Sequence, residues 1–185
     1  MNRYVALLRG INVGGSNLIK MTALKACFEK QGFLDVATYI QSGNVLFAAR
    51  ESAADKLTHR IEGVLAGTFN YQARLVLRSR KQMQDIVQRA PDDFGTQPTK
   101  YRYDVIYLKA PLSASVAIKS VVTAPGVDDA RAGDGVLYFS RLTSKASKSR
   151  LSKLVSLPIY QDMTIRNWNT TTKLLDMMDG ADESD

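Results

Sequence analysis

Apolar and polar positions change period several times along the chain, and each change marks an element. Tyr4 to Leu8 is wholly apolar and predicts a strand over Arg3–Leu8. Leu24, Cys27 and Phe28 fall at helical spacing and predict a helix over Thr22–Gln31, with Gly32 just past its end. Val36–Ile40 and Val45–Ala48 read as strands joined at Ser42-Gly43, a hairpin signal. Leu57, Ile61, Val64 and Leu65 share one face of a helix over Asp55–Ala66, and Arg74–Leu77 is a strand. The resulting order, β-α-β-β-α-β, is the ferredoxin-like arrangement.

Ser79 then caps a helix whose apolar positions are Met83, Ile86, Val87 and Ala90, and Pro91 ends it. The stretch from Pro91 to Lys100 is rich in turn formers and is the best candidate boundary. Beyond it the order repeats. Arg102–Leu108 is a strand with Lys109 where the first had Arg9, and Ser113–Val122 is a helix. Asp128–Arg131 and Val136–Ser140 are strands around Gly133-Asp134-Gly135, with Gly135–Phe139 echoing Gly43–Phe47. A helix over Arg150–Val155, a short strand over Met163–Ile165 and a last helix over Thr170–Met178 complete the pattern. The predicted class is α+β: two ferredoxin-like halves with mainly antiparallel sheets, a linking helix and a C-terminal helix. The segments are 1–79, 80–100, 101–178 and an acidic tail over 179–185.

Composition adds a charge bias. The net charge is +7, and Arg141 to Lys173 holds seven basic residues against one acid, Asp162. Such a zone favours a phosphate-bearing partner, or it is simply a solvated basic face. No apolar run approaches the roughly 18 residues that a membrane span needs, and the N-terminal run is too short for a signal peptide. The single cysteine, Cys27, rules out an internal disulfide, so a reducing cytoplasm is the expected compartment. Cys27 lies on an apolar helix face and is expected to be buried. His59 lies opposite the apolar face and pairs weakly with Asp55 one turn earlier. One His and one Cys exclude a cluster of Cys and His around a metal. No cofactor is implied, and no acidic pair near the first loop recommends Mg²⁺.

Three motifs carry candidate chemistry. The first, Leu7 to Asn17, puts Arg9 before a turn containing Gly10, Asn12, Gly14, Gly15 and Asn17, with Lys20 at its far end. Backbone N–H groups in such a turn, beside a fixed cation, suit an anion. Gly10 and Gly15 have phosphate-loop spacing, but Ser16 stands where that loop needs lysine, and the dinucleotide glycine pattern does not fit either. The plain alternative is a turn that needs positive φ. The second motif is Gln41-Ser42-Gly43-Asn44. The first and third strands of this arrangement are antiparallel neighbours, which brings Asn44 close to Arg9; otherwise the motif is only a hairpin turn. The third, Arg166-Asn167-Trp168-Asn169-Thr170, opens the last helix, with Asn169 or Thr170 as cap and Arg166 just before a helix N-terminus, a position suited to anions. Trp168 is a core residue or a stacking platform.

Together, the segments LLRGINVGGSN at Leu7, TYIQSGNVLF at Thr38 and TIRNWNTTTKLL at Thr164 resemble the bacterial domain-of-unknown-function family numbered 1697. The resemblance runs from Tyr4 to Leu175. It implies a widespread bacterial α+β protein without an assigned activity, and it assigns a role to no residue.

The residues leave three functional readings open. In one, the chain binds a phosphate-bearing ligand, a nucleotide or RNA, through Arg9, Gly10, Asn12, Gly14, Gly15, Asn17, Lys20, Gln41, Ser42, Asn44, Arg166 and Asn167. RNA domains of this topology present aromatics on two central strands, whereas here only Tyr4 and Phe47 stand there. In the second, the chain hydrolyses a phosphoryl compound as acylphosphatases do, with Arg9 holding phosphate and Asn44 positioning water. In the third, it is an interaction module without a small ligand. Exposed sheet edges leave a homo-oligomer open.

Overall fold

The structure, a computed structural model, describes residues 1–12, 18–70 and 72–180. Gly14, Gly15 and Asn17 of the first motif, and the end of the acidic tail, lie outside the described residues.

The chain divides into two compact units, Met1–Met83 with Leu174–Asp185, and Gln84–Lys173. The first contains β1 (Asn2–Leu8), α1 (Met21–Lys30), β2 (Leu34–Tyr39), β3 (Asn44–Ala49), α2 (Ala54–Phe69) and β4 (Leu75–Ser79). Its strands lie in the order β2-β3-β1-β4, and every pair is antiparallel. Alternation along β1 sorts Tyr4, Ala6 and Leu8 to the helix side, where they meet Leu24 and Phe28 of α1 and Leu57, Ile61 and Leu65 of α2. Each buried Leu, Ile or Phe among them contributes on the order of 1.5–3 kcal/mol by leaving water. Phe28, Phe33 and Phe47 interlock with centroids 4.6 to 5.7 Å apart. Val5, Leu7 and Leu46, on the other face, are buried as well. Two buried faces explain why Tyr4–Leu8 reads as a continuous apolar run instead of an alternation.

The second unit repeats this plan with β5 (Tyr101–Leu108), α4 (Ala114–Ala117), β6 (Asp128–Ala132), β7 (Val136–Leu142), α5 (Leu151–Val155) and β8 (Met163–Asn167). The strand order β6-β7-β5-β8 is again wholly antiparallel. Ile106, Leu108, Leu137, Phe139 and Met163 form its core with Ala117, Leu151 and Leu154. The repeat extends to single hydrogen bonds. The Leu8 N–H donates to Gly43 O (2.8 Å) and the Arg9 N–H to Arg74 O (2.8 Å); their counterparts are Leu108 to Gly135 (3.0 Å) and Lys109 to Asp162 (2.8 Å). Gly43 and Gly135 hold φ of 73° and 67°. Register also equates Arg78, opposite Val5, with Arg166, opposite Val105. Each folds its Nη1 back to the preceding carbonyl at 2.8 Å.

Two helices, α3 (Arg80–Gln88) and α6 (Trp168–Gly180), follow the two last strands, and the division of the chain falls inside both. The expected segment 80–100 is therefore no independent linker. Ser79 and Gln82 form a reciprocal capping box that fixes the start of α3 to β4, with the Gln82 N–H on Ser79 Oγ (3.3 Å) and the Ser79 N–H on Gln82 Oε1 (2.9 Å). Farther along, Ile86 O accepts the Tyr138 hydroxyl at 2.6 Å within the second unit. Likewise α6 does not all belong with 101–178. Its last turns fall in the first unit, where Asp179 Oδ1 accepts from Arg80 Nε at 2.7 Å.

Several boundaries differ from the sequence reading for local reasons. The helix expected over Ser113–Val122 is only Ala114–Ala117 plus a 3-10 turn over Ile118–Ser120, as β-branched Val116, Ile118, Val121 and Val122 disfavour its continuation. Helix α2 runs past Ala66 to Phe69, where Asn70 closes it in a left-handed conformation. Two further 3-10 segments, Thr143–Lys148 and Pro158–Asp162, have no periodicity that would announce them.

Candidate functional site

The turn after β1 is built from its two ends. Gly10 and Asn12 adopt φ of 70° and 53°, which turns the chain out of the sheet. Asn12 then acts as a clasp. Its Nδ2 donates to Ile19 O (3.0 Å) and Gln41 O (2.9 Å), and the Ile19 N–H donates to Asn12 Oδ1 (2.8 Å). The amide thus pairs with Ile19 as a strand neighbour would, closes the loop at its neck and ties it to the β2–β3 hairpin. Ile11, fully buried, packs under this neck. Gly43 is required beneath it: a Cβ there would meet Ile11 Cδ1 at 2.6 Å and Leu8 Cβ at 2.9 Å.

The expected proximity of the hairpin to Arg9 is met, since Asn44 pairs with Leu7 and Gly43 O receives the Leu8 N–H. Asn44 itself is 0% exposed, and its Nδ2 donates to Tyr39 O (2.9 Å) and Ser42 Oγ (3.1 Å). It holds the hairpin together and presents nothing to a water or ligand in the loop. Arg9 is half-buried and its N–H is taken by Arg74 O, so a ligand contact from Arg9 must come through its guanidinium. Gln41 and Lys20 are exposed and Ser42 is half-buried. Lys20 stands at the N-cap of α1; it makes no side-chain cap hydrogen bond, and no acid occupies the first turn. That helix end keeps its partial positive charge beside the loop.

Arg166 and Asn167 belong to the second unit. Arg166 is 7% exposed, and Nη1 donates to Thr164 Oγ1 (2.9 Å) and Ile165 O (2.8 Å). Burial lowers its pKa to about 10, while Tyr107 and Tyr160 pull it back up, and it stays charged at neutral pH. Asn167 is the cap that the sequence assigned to Asn169 or Thr170: its Oδ1 accepts the Thr170 N–H at 2.7 Å. Ser79 has the equivalent place before α3, a parallel legible in Leu75–Ser79 against Met163–Asn167. Trp168 is half-buried and meets Phe94 edge-on at 5.2 Å. Of the seven basic residues between Arg141 and Lys173, Arg166 is buried and Arg141 lies 3.4 Å from the buried Asp104, so the zone is not one solvated face. His59 Nδ1 pairs with the main-chain carbonyl of Asp55, not its carboxylate. Cys27 is buried, as expected.

Sequence reasoning passed over two features of the second unit. Asp104, 5% exposed on the central strand, has its carboxyl pushed up by burial against the pull of Arg141 and Arg102. Asp104 Oδ2, Arg141 Nε and Asp128 Oδ1 are buried without hydrogen bonds, and register sets Asp128 opposite Arg141. Also passed over were two adjoining clefts that share Tyr101 and Tyr103. Among the described residues no group of His, Cys, Asp or Glu could hold a metal, and no helix is long and apolar enough to cross a membrane.

The fold and its loops define a duplicated α+β protein with two four-stranded antiparallel sheets. The family described as "Protein of unknown function (DUF1697)" matches residues 1–138. The chain belongs to this family. Among solved structures it is similar to the conserved bacterial protein SP0830 from Streptococcus pneumoniae, at 26% identity and a TM-score of 0.82 over 96% of this chain and 98% of that one. The third motif, beyond residue 138, lies outside the family match. No curated protein matches the chain.

Proposed function

We propose that this chain binds a phosphate-bearing small ligand, in the simplest case a nucleotide, at the loop following β1. The observation that carries this reading is the start of α1: a ten-residue helix whose N-cap residue Lys20 makes no side-chain cap hydrogen bond and whose first turn holds no acid, entered from a glycine-rich segment whose neck Asn12 clasps. First-turn N–H groups and the helix dipole favour an anion there. Arg9 and Lys20 supply the cations, and the clasp ties Asn12 to Ile19 and to the hairpin at Gln41, so the neck stands on a rigid sheet. Asn44 is occupied within the hairpin, which disfavours the acylphosphatase-like hydrolase. We read each half as ferredoxin-like from its strand order, and the protein as cytoplasmic from its single buried cysteine.

Calorimetric titration with inorganic pyrophosphate tests the reading. Saturable binding is expected, weakening as salt rises from about 50 to about 200 mM. Arg9→Ala is expected to weaken it by about tenfold, the loss of one charge-assisted hydrogen bond. Absence of binding, or binding indifferent to both salt and Arg9→Ala, rejects the loop as an anion site.

A further inference from the structure

We propose that the second unit carries a separate site for a nucleoside phosphate, in the cleft between the start of β5 and the start of α6. The cleft measures about 230 Å³ and is lined by Tyr101, Arg102, Tyr103, Asn167, Trp168 and Asn169, among others. Register explains why it exists. The β5–β8 ladder ends where Asp104 meets Asn167, so no strand continues beside Tyr101–Tyr103 on that side. The chain turns there into α6.

Three features select the ligand. The first is aromatic surface. Trp168 is braced from behind by Phe94 at 87° and by Gly95, where an added Cβ would come within 2.7 Å of Trp168 Cδ1. A braced indole beside two tyrosines is a platform for a flat ring. The second is uncommitted amide chemistry. Asn167 uses Oδ1 as a helix cap, which leaves its Nδ2. Asn169 is exposed, and the Thr172 hydroxyl engages only its main-chain carbonyl. Carboxamides offer both donors and acceptors, as the edge of a nucleobase does. The third is available positive charge. Arg102 is exposed and takes no part in the ion pairs among the described residues of this unit, which include Arg131 with Asp93 and Asp129, Arg141 with Asp104 and Arg89 with Asp85. Lys100 Nζ sits 5.2 Å above the Tyr101 ring at the same edge.

The adjoining cleft makes the contrast. It is also aromatic, with Phe94, Tyr101, Tyr103 and Tyr138, but its one cation, Arg131, is taken up by two carboxylates, Asp93 and Asp129. Arg131 grips Asp93 through both Nη atoms at 2.7 and 3.0 Å and Asp129 through Nε at 2.8 Å. The Tyr138 hydroxyl is bound to Ile86 O, and Tyr103 Oη accepts the Gln97 N–H. Its cation is held by carboxylates, whereas Arg102 of the larger cleft is in no ion pair among the described residues. A volume of about 230 Å³ lies under the roughly 300 Å³ at which drug-sized pockets begin. It suits one base with its sugar, with the phosphate reaching Arg102. The same unit of chemistry occurs as a free nucleotide and within single-stranded RNA.

Trp168 is the sole tryptophan, so its fluorescence reports this cleft directly. The intact protein is titrated with AMP, adenosine, inorganic phosphate and a single-stranded RNA hexamer. Saturable quenching by AMP is expected, with adenosine about tenfold weaker for want of the charge-assisted contact. Arg102→Ala and Asn169→Ala, both exposed and checked for folding by circular dichroism, are each expected to weaken AMP. Saturation by the hexamer alone, with the same dependence on Arg102, supports the site with RNA as its source. The proposal is overturned if neither AMP nor the hexamer saturates below about 5 mM, a free energy of only about 3 kcal/mol. It is equally overturned if phosphate alone reproduces the quenching, or if both variants bind as the parent does.

Discussion

The two halves share one frame and differ at both ends of it. At the close of the central strand both make the same pair of hydrogen bonds, Leu8 and Arg9 in one, Leu108 and Lys109 in the other. Past that point the chains part. After Arg9 the chain enters a glycine loop clasped by Asn12 and then a ten-residue helix; after Lys109 come Pro111 and a helix of a single turn. At the opposite end, the first half has no counterpart to the braced Trp168, since Ser79 leads into Arg80 where Asn167 leads into Trp168. Inside, Asn44 stands where the second half has Val136, and Asp104 where the first has Tyr4. Duplication fixes the hydrogen-bonded frame, and candidate chemistry sits where the copies have diverged.

The largest expected effect tests the frame. Gly43→Ala forces a left-handed residue and a collision with Ile11 and Leu8, and should cost about 3 kcal/mol in urea unfolding. Gly32→Ala shares the positive φ but meets nothing within 4 Å, and should cost only about 1 kcal/mol. Equal costs would mean that the neck is not tightly packed. Next comes the clasp. Asn12→Ala removes three hydrogen bonds from the first half alone, with about 1–2 kcal/mol lost and faster hydrogen exchange at the Ile19 amide. An unchanged Ile19 amide would mean that Asn12 does not hold the neck. Ser79→Ala and Asn167→Ala should each cost about 1 kcal/mol as equivalent caps; a clear inequality would break the parallel between β4–α3 and β8–α6.

The subtlest effect is one of sign. The Asp104 carboxyl, raised by burial, keeps its proton in the folded chain at a pH where the unfolded chain has released it. Its contribution to stability therefore grows as pH falls through the raised value, and levels off below the ordinary carboxylate range. Thermal melts from pH 7 to pH 4 should show this component, and the difference between wild type and Asp104→Asn isolates it from carboxylates such as Asp93, which Arg131 shifts the other way. A difference that does not change with pH would contradict the raised value.

The element order was legible because apolar positions alternate between periods of two and near four, and because Gly32, Ser79 and Pro91 punctuate them. The meeting of the hairpin with the first loop followed from topology alone. Asn12 is visible in the sequence as a loop residue, but its work as a clasp is not, since the sequence does not show which carbonyls its amide reaches. Asn44 reads as a site residue because strand order brings it close to Arg9, yet its burial commits it to Tyr39 and Ser42. The Trp168 cleft joins residues far apart in the chain, and only the early end of the β8 ladder brings them together. The equivalence of Arg78 with Arg166 was readable in principle from matching strand, arginine and cap.

The most direct test of the anion loop is an amide-resolved NMR titration of the intact protein with pyrophosphate. An anion held at the loop predicts saturable shifts centred on the amides from Gly10 to Ala23, needing about tenfold more pyrophosphate in Arg9→Ala while the rest of the spectrum stays in place. Shifts elsewhere with these amides unmoved would contradict it.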